Sequence, residues 1–367
     1  MLQEELMERN IPDLFTINGQ TIDTKEDWEK IGRPYWKNLL LQEEYGRFPK
    51  VLCPTIEVKK DRFEYRDFGG GVKWEEVIFT FENNGKKHSV STHMLYPKTN
   101  VAQQFPFFIY LNFHPSAPTL YLPIEEIVAN GFGVLTVCYN DITKDNNDFT
   151  DGLAGLFQEG ERTGDDAGKI VYWSYMASRM MDYLQTREEF DKNAIGVAGH
   201  SRLGKTALLT SAMDERFTFA CVNNSGTSGA AISRGLCKGG ESIRDIVERF
   251  PFWFCPNYVK YMDKADELPF DQHCLTALVA PRVVYVGGAL EDVWADNDNQ
   301  FLNCVAASPA WDLYQVNGFI SKNELPVCGD TFMAGNVGFY LRTGTHFFSR
   351  NDWLTYMDAV KKNFNRE

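Results

Sequence analysis

Residues 196–209 read GVAGHSRLGKTALL: a small apolar run, a Gly-His-Ser turn, two cations and a series of good helix formers. A serine lifted out of a sheet at such a strand, turn and helix junction can act as a nucleophile. Gly199 would relieve crowding before the turn, and Gly204 would let the helix pack close to the strand. The same serine can instead simply cap the helix. The motif is partial, because G-x-S-x-G places glycine at the second position after serine and Leu203 stands there. The two readings make different demands. A nucleophilic Ser201 needs an imidazole base, and the base needs a carboxylate behind it.

In a sheet enzyme of this layout the chain order is serine, acid, histidine. Of the six histidines, His88, His93, His114 and His200 all precede Ser201. His273 lies in the helical stretch FDQHCLTAL, where a lone histidine is a structural hydrogen-bonder. His346, in RTGTHFFSRNDW, follows the last strand pattern and precedes the last helix pattern, which makes it the expected base. The acid belongs at the C-terminal end of the preceding strand, where VVYVGGALEDVWAD offers Glu291, Asp292 and Asp296. Asp292 is the expected acid, with Glu291 and Asp296 as alternatives. Attack on an ester carbonyl creates a negative charge where none existed, so a cation beside the serine, Arg202, would favour the transition state over bound substrate. The competing reading makes Arg202 and Lys205 a solvated helix face.

Positioning these groups requires a scaffold, and the hydrophobic patterns supply one. Strand and helix patterns alternate: strands at 105–112, 132–140, 194–199, 217–224, 281–289 and 337–344, and helices at 122–131, 166–187, from about Arg202, and 351–363. Alternation of this kind predicts an α/β fold of the α/β-hydrolase type, a mostly parallel sheet with helices on both faces. Residues 74–96 predict two strands around the turn Asn83-Asn84-Gly85. Residues 26–45 carry a helical pattern within an N-terminal extension, 1–70, expected to pack on the main body. Residues 226–270 predict an irregular, aromatic-rich cap lining the substrate cleft. With no linker or repeat, the 367 residues are expected to form a single catalytic domain.

A formal charge of −13 argues against a nucleic-acid partner. No run of eighteen apolar residues argues for a membrane span, and the N-terminus MLQEELMERNIPDL lacks the apolar stretch of a secretory signal, so the expectation is a cytoplasmic protein. The eight cysteines are scattered without CxxC pairs or metal-ligand spacing, so reduced thiols and no metal are expected.

The chain resembles the glucuronoyl esterase family, carbohydrate esterase family fifteen, in its bacterial branch. The resemblance runs from EEYGRFP (43–49) to His346 and includes GHSRLGKTAL (199–208), NNSGTSGAAISR (223–234), RFPFWFC (249–255), LPFDQH (268–273), APRVVYV (280–286) and EDVWAD (291–296). It implies Ser201 and His346 as nucleophile and base, and Arg202 as an oxyanion donor. It further implies Lys205, Glu241 and Trp294 as contacts to a glucuronate ring, with Arg249 as a wall residue. Two departures stand out. Many members carry the acid within the stretch matching VNNSG, where this chain has Asn224, which an imidazolium cannot use as a counter-ion. That leaves the other position used by some bacterial members, Asp292. In NFHPSAPT (112–119) relatives usually have glycine after Asn-Phe, which leaves Phe113 or His114 to present a backbone N–H.

The function implied is a serine carbohydrate esterase that cleaves esters of D-glucuronate or its 4-O-methyl ether through an acyl-enzyme, with no cofactor. An acetyl xylan esterase and a non-catalytic carbohydrate-binding protein are the alternatives.

Overall fold

The computed structural model of the protein describes residues 2–60, 68, 71–98 and 104–364. A small hairpin, β1 (Thr16–Ile17) and β2 (Gln20–Thr21), precedes the main sheet. The sheet itself comprises β3 (Thr55–Lys60), β4 (Val72–Asn83), β5 (Lys86–Pro97), β6 (Phe105–Asn112), β7 (Gly133–Cys138), β8 (Phe190–His200), β9 (Phe219–Asn223), β10 (Val283–Ala289), β11 (Thr331–Phe332) and β12 (Val337–Arg342). Its spatial order is β11-β12-β10-β9-β8-β6-β7-β5-β4-β3. From β7 to β12 the neighbours are parallel, and β5, β4, β3 and β11 are antiparallel additions at the two edges. This is the predicted α/β-hydrolase architecture.

Alternation along the strands explains why both faces are covered. In β9, Phe219 and Cys221 enter one hydrophobic cluster while Ala220 and Val222 enter the other. The helices Lys169–Gln185 and Arg202–Met213 pack on the second of these faces, and Arg350–Asn363 on the first. The predicted hairpin at 74–96 is β4 and β5, closed by Asn84 and Gly85, both at positive φ, with Asn83 paired to Lys86.

The extension 1–70 packs on the main body: β3 adds the sheet's edge strand, and Trp28, Trp36, Leu40 and Tyr45 enter the main core. Residues 61–67, 69 and 70 of that extension lie outside the described residues. The cap at 226–270 is not wholly irregular, because Ser242 and Asp245 form a capping box that starts the helix Ile243–Arg249. Among the described residues no helix is long and apolar enough to cross a membrane, and no group of three or more His, Cys, Asp or Glu is placed to hold a metal ion. All eight cysteines are free, five of them buried, with Cys53 and Cys328 exposed. His273 is buried and hydrogen-bonds the Pro12 carbonyl at 3.0 Å, as a structural histidine should.

The N-terminal segment carries one titratable group into the core. Both oxygens of the fully buried Glu44 accept from Gln272 Nε2, at 2.9 and 3.1 Å, yet burial pushes its pKa from 4.5 up to about 8. Between those values the folded state holds a proton that the unfolded chain has lost. The group's contribution to stability is therefore full below about pH 4.5 and declines as pH rises towards 8. Glu44→Gln is expected to flatten this dependence, by a few kcal/mol at most between pH 5 and pH 8. Thermal unfolding of both proteins across that range measures it, and parallel curves would contradict it.

Candidate active site

The junction between β8 and the helix Arg202–Met213 is a sharp turn with Ser201 at φ 59°, ψ −129°. A non-glycine residue held there costs on the order of 1–3 kcal/mol, a strain that persists only where the surroundings enforce it. Here the Ser201 N–H donates to the Asn223 carbonyl of β9 at 2.9 Å, and the Ser201 carbonyl accepts from the Lys205 N–H at 3.1 Å. The Ser201 hydroxyl makes no capping bond to the helix, which removes the bland reading of this serine. A Cβ on Gly199 would lie 2.0 Å from the Leu203 carbonyl oxygen, and one on Gly204 would lie 2.9 Å from that of Asn223. The close approach thus falls on residues 199 and 204, and Leu203, standing where G-x-S-x-G has its second glycine, is buried in the core.

His346 stands on the loop after β12, and its Nδ1 hydrogen-bonds Asp292 Oδ2 at 2.6 Å. Its ring centroid lies 4.4 Å from that of His200, the residue before Ser201. His346 Nε2 has no hydrogen-bonding partner among the described residues, and in free enzymes the serine to histidine contact commonly tightens only with substrate. Burial alone would raise the pKa of Asp292. The hydrogen bond and charge of His346 and the amide of Asn224 outweigh it and hold the carboxyl below its ordinary value. Asp292 is the one of the three candidate acids that faces the imidazole. Asp296 caps the helix Asn297–Ala307 through the Asn299 N–H and also accepts from the Cys237 N–H, and Glu291 braces Gly344 from the surface.

Asn224, the residue that departs from the common family pattern, donates from Nδ2 to Asp292 Oδ2 at 2.5 Å. The Asn224 amide thus helps to fix the Asp292 carboxylate that faces the imidazole. The N–H of Arg202, the first residue of a helix, has no intrahelical acceptor. Of the two loop N–H groups left open, that of His114 is engaged by Asn112 Oδ1 at 3.2 Å.

The Arg202 side chain is not a solvated helix face. Its guanidinium pairs with Asp145 and lies 4.7 Å from the Trp253 ring centroid and 5.3 Å from that of Phe250, rings that stack on each other at 3.9 Å. Its Nε is buried without a hydrogen-bonding partner among the described residues. Asp145 is fixed in turn by Trp253 Nε1 at 2.7 Å and by the Tyr139 hydroxyl at 3.2 Å.

Lys205 is buried, and its three ammonium protons go to the carbonyls of Ser225 and Thr227 and to Glu241 Oε2. A buried ammonium must satisfy its donors in this way. Glu241 Oε1 accepts from Trp294 Nε1 at 3.1 Å, and the guanidinium of the exposed Arg249 lies 4.9 Å over the Trp294 ring. The structure therefore brings Lys205, Glu241, Trp294 and Arg249 into one chain of contacts.

Sequence reasoning missed Asp145, and it left His200 without a role. His200 Nδ1 bonds Asn223 Oδ1 at 2.6 Å, and burial, reinforced by the charge of His346, pushes its pKa down to about 3, so it stays neutral. Its position directly before Ser201 was the only available signal.

The chain matches the family described as glucuronyl esterase, fungi, over residues 79–315. A carbohydrate esterase from an unknown prokaryotic organism is 30% identical over 95% of this chain and 88% of that protein. A 4-O-methyl-glucuronoyl methylesterase of Schizophyllum commune is 28% identical over 82% of this chain and 72% of that protein. Among solved structures, a glucuronoyl esterase from Solibacter usitatus superposes with a TM-score of 0.87 at 31% identity, covering 96% of this chain and 97% of that one. With an elbow serine, an imidazole oriented by a buried carboxylate and this likeness across nearly its whole length, the chain belongs to the glucuronyl esterase family.

Proposed function

We propose that this protein hydrolyses esters of D-glucuronate or 4-O-methyl-D-glucuronate through an acyl-enzyme. Ser201 Oγ attacks the ester carbonyl, His346 Nε2 takes its proton and returns it to the departing alcohol, and Asp292 stabilises the imidazolium. Water activated by the same imidazole then releases the uronic acid. The developing oxyanion faces the N–H and side chain of Arg202. Glu241 and Trp294, held by Lys205 and Arg249, form the sugar side. The reading is carried by the His346 Nδ1 to Asp292 Oδ2 bond at 2.6 Å, because an oriented base is what separates a hydrolase from a binding protein built on the same fold. It draws further support from relatives that bear the name 4-O-methyl-glucuronoyl methylesterase.

A substrate panel tests it. Turnover of methyl and benzyl glucuronate is expected to exceed that of acetylated xylan by roughly 100-fold or more in kcat/KM, since an acetyl group would leave the Glu241 and Trp294 side of the site unfilled and forgo the binding energy a uronate ring gains there. Faster release of acetate would reassign the protein as an acetyl esterase. Failure to label Ser201 with a fluorophosphonate would indicate a binding protein.

A further inference from the structure

We propose that Arg342 and Asp352 are the positioning pair that holds the His346 loop in its working conformation. Arg342 ends β12, and its guanidinium brackets the loop: Nη1 donates to the Thr343 carbonyl at 2.8 Å, and Nη2 donates to the Phe347 carbonyl. His346 lies between those two anchors. The remaining nitrogen, Nε, donates to Asp352 Oδ1 at 2.7 Å. Asp352 is fully buried and accepts three further bonds, from the Tyr340 hydroxyl at 2.6 Å and from Ser349 N and Oγ, both at 2.7 Å. One carboxylate thereby joins the last strand, the end of the loop and the first turn of the helix Arg350–Asn363. Gly344 leaves room for the guanidinium: it sits at φ 102°, and a Cβ there would lie 2.9 Å from Arg342 Nη1.

The frame reaches the nucleophile as well. The Tyr340 hydroxyl accepts from Asn223 Nδ2 at 3.2 Å, and Asn223 Oδ1 bonds the Nδ1 of His200, next to Ser201. Base and nucleophile are therefore set from a single polar network. The His346 side chain is 41% exposed and has only Asp292 as a hydrogen-bonding partner among the described residues, so its placement depends on the loop backbone. A misplacement of about 1 Å costs on the order of 100-fold in rate. Removing Arg342 alone leaves the buried Asp352 carboxylate without its counter-ion and lowers stability as well, so turnover is compared per folded molecule.

The inference rests on the serine-esterase reading, and His346→Ala separates the two. Arg342→Met is expected to lower kcat on methyl glucuronate by about 100-fold with KM within about threefold, and to slow fluorophosphonate labelling of Ser201 in parallel. Arg342→Lys, which keeps the charge but loses the fork, should fall between that variant and wild type. Tyr340→Phe removes one donor to Asp352 without touching the loop; it should lower kcat several-fold and carries the test where Arg342→Met does not fold. The downfield proton resonance of His346 Nδ1–H should broaden in the Arg342 variants, a signature that a purely structural role would not produce. Folded Arg342→Met with kcat within twofold of wild type would overturn the pair, as would wild-type turnover in both Arg342→Lys and Tyr340→Phe. Either result beside an inactive His346→Ala sinks the pair alone, whereas an active His346→Ala sinks the esterase mechanism itself.

Discussion

Ser201→Ala is expected to abolish turnover of methyl glucuronate, lowering kcat by about a million-fold, while the protein folds as before. Removing one member of a nucleophile and base pair costs nearly as much as removing the whole unit, because neither group works without the other. Stability should barely move, because the hydroxyl makes no capping bond and alanine meets the same backbone strain at φ 59°, ψ −129°. Glycine is the informative control. Ser201→Gly should be equally inactive yet more stable by about 1–3 kcal/mol, since glycine adopts that conformation without penalty. Inactivity combined with a gain in stability would show that the turn is strained in order to present the hydroxyl. Turnover of either variant above one part in a thousand of wild type would remove Ser201 from the mechanism.

The parallel centre of the sheet was legible because buried strands such as 105–112 and 281–289 are short apolar runs bounded by turn signals. Its edges were not. β11 spans two residues, and the β3 segment carries three exposed residues at its start, so neither shows a clear buried face. The helix Asn297–Ala307 was hidden for another reason. Asn299, Gln300 and Asn303 are fully buried and hydrogen-bonded to Arg234, Ser225 and Thr276, so its inner face reads as polar. In the site, the order of Ser201, Asp292 and His346 could be tested along the chain because this fold constrains it. Asp145 could not be found that way. It meets Arg202 across 57 residues of sequence, from a loop that looks like any solvated acidic stretch.

Asp292→Asn is expected to lower kcat by about 10,000-fold, because an amide neither fixes the required imidazole tautomer nor balances the imidazolium. The second acid position makes this more than a routine deletion. Asp292 Oδ2 accepts from both His346 Nδ1 and Asn224 Nδ2, so the side chains of residues 224 and 292 meet at the oxygen that orients the ring. Exchanging them, Asn224→Asp with Asp292→Asn, returns a carboxylate to that meeting point with an amide again beside it. The backbone tolerates the exchange: Asn224 is at φ 43°, a region that aspartate shares with asparagine, and its N–H is held by the Gly287 carbonyl. Recovery should be partial, about 10- to 100-fold over Asp292→Asn. Asn224 Oδ1 is buried without a hydrogen-bonding partner among the described residues, and a carboxylate oxygen in that place would carry charge with no donor there to receive it. Kinetics of the two single variants and the exchange decide the point. A loss below tenfold in Asp292→Asn would move the acid elsewhere, and an exchange variant no better than Asp292→Asn would mean that the imidazole accepts its counter-ion from one direction only.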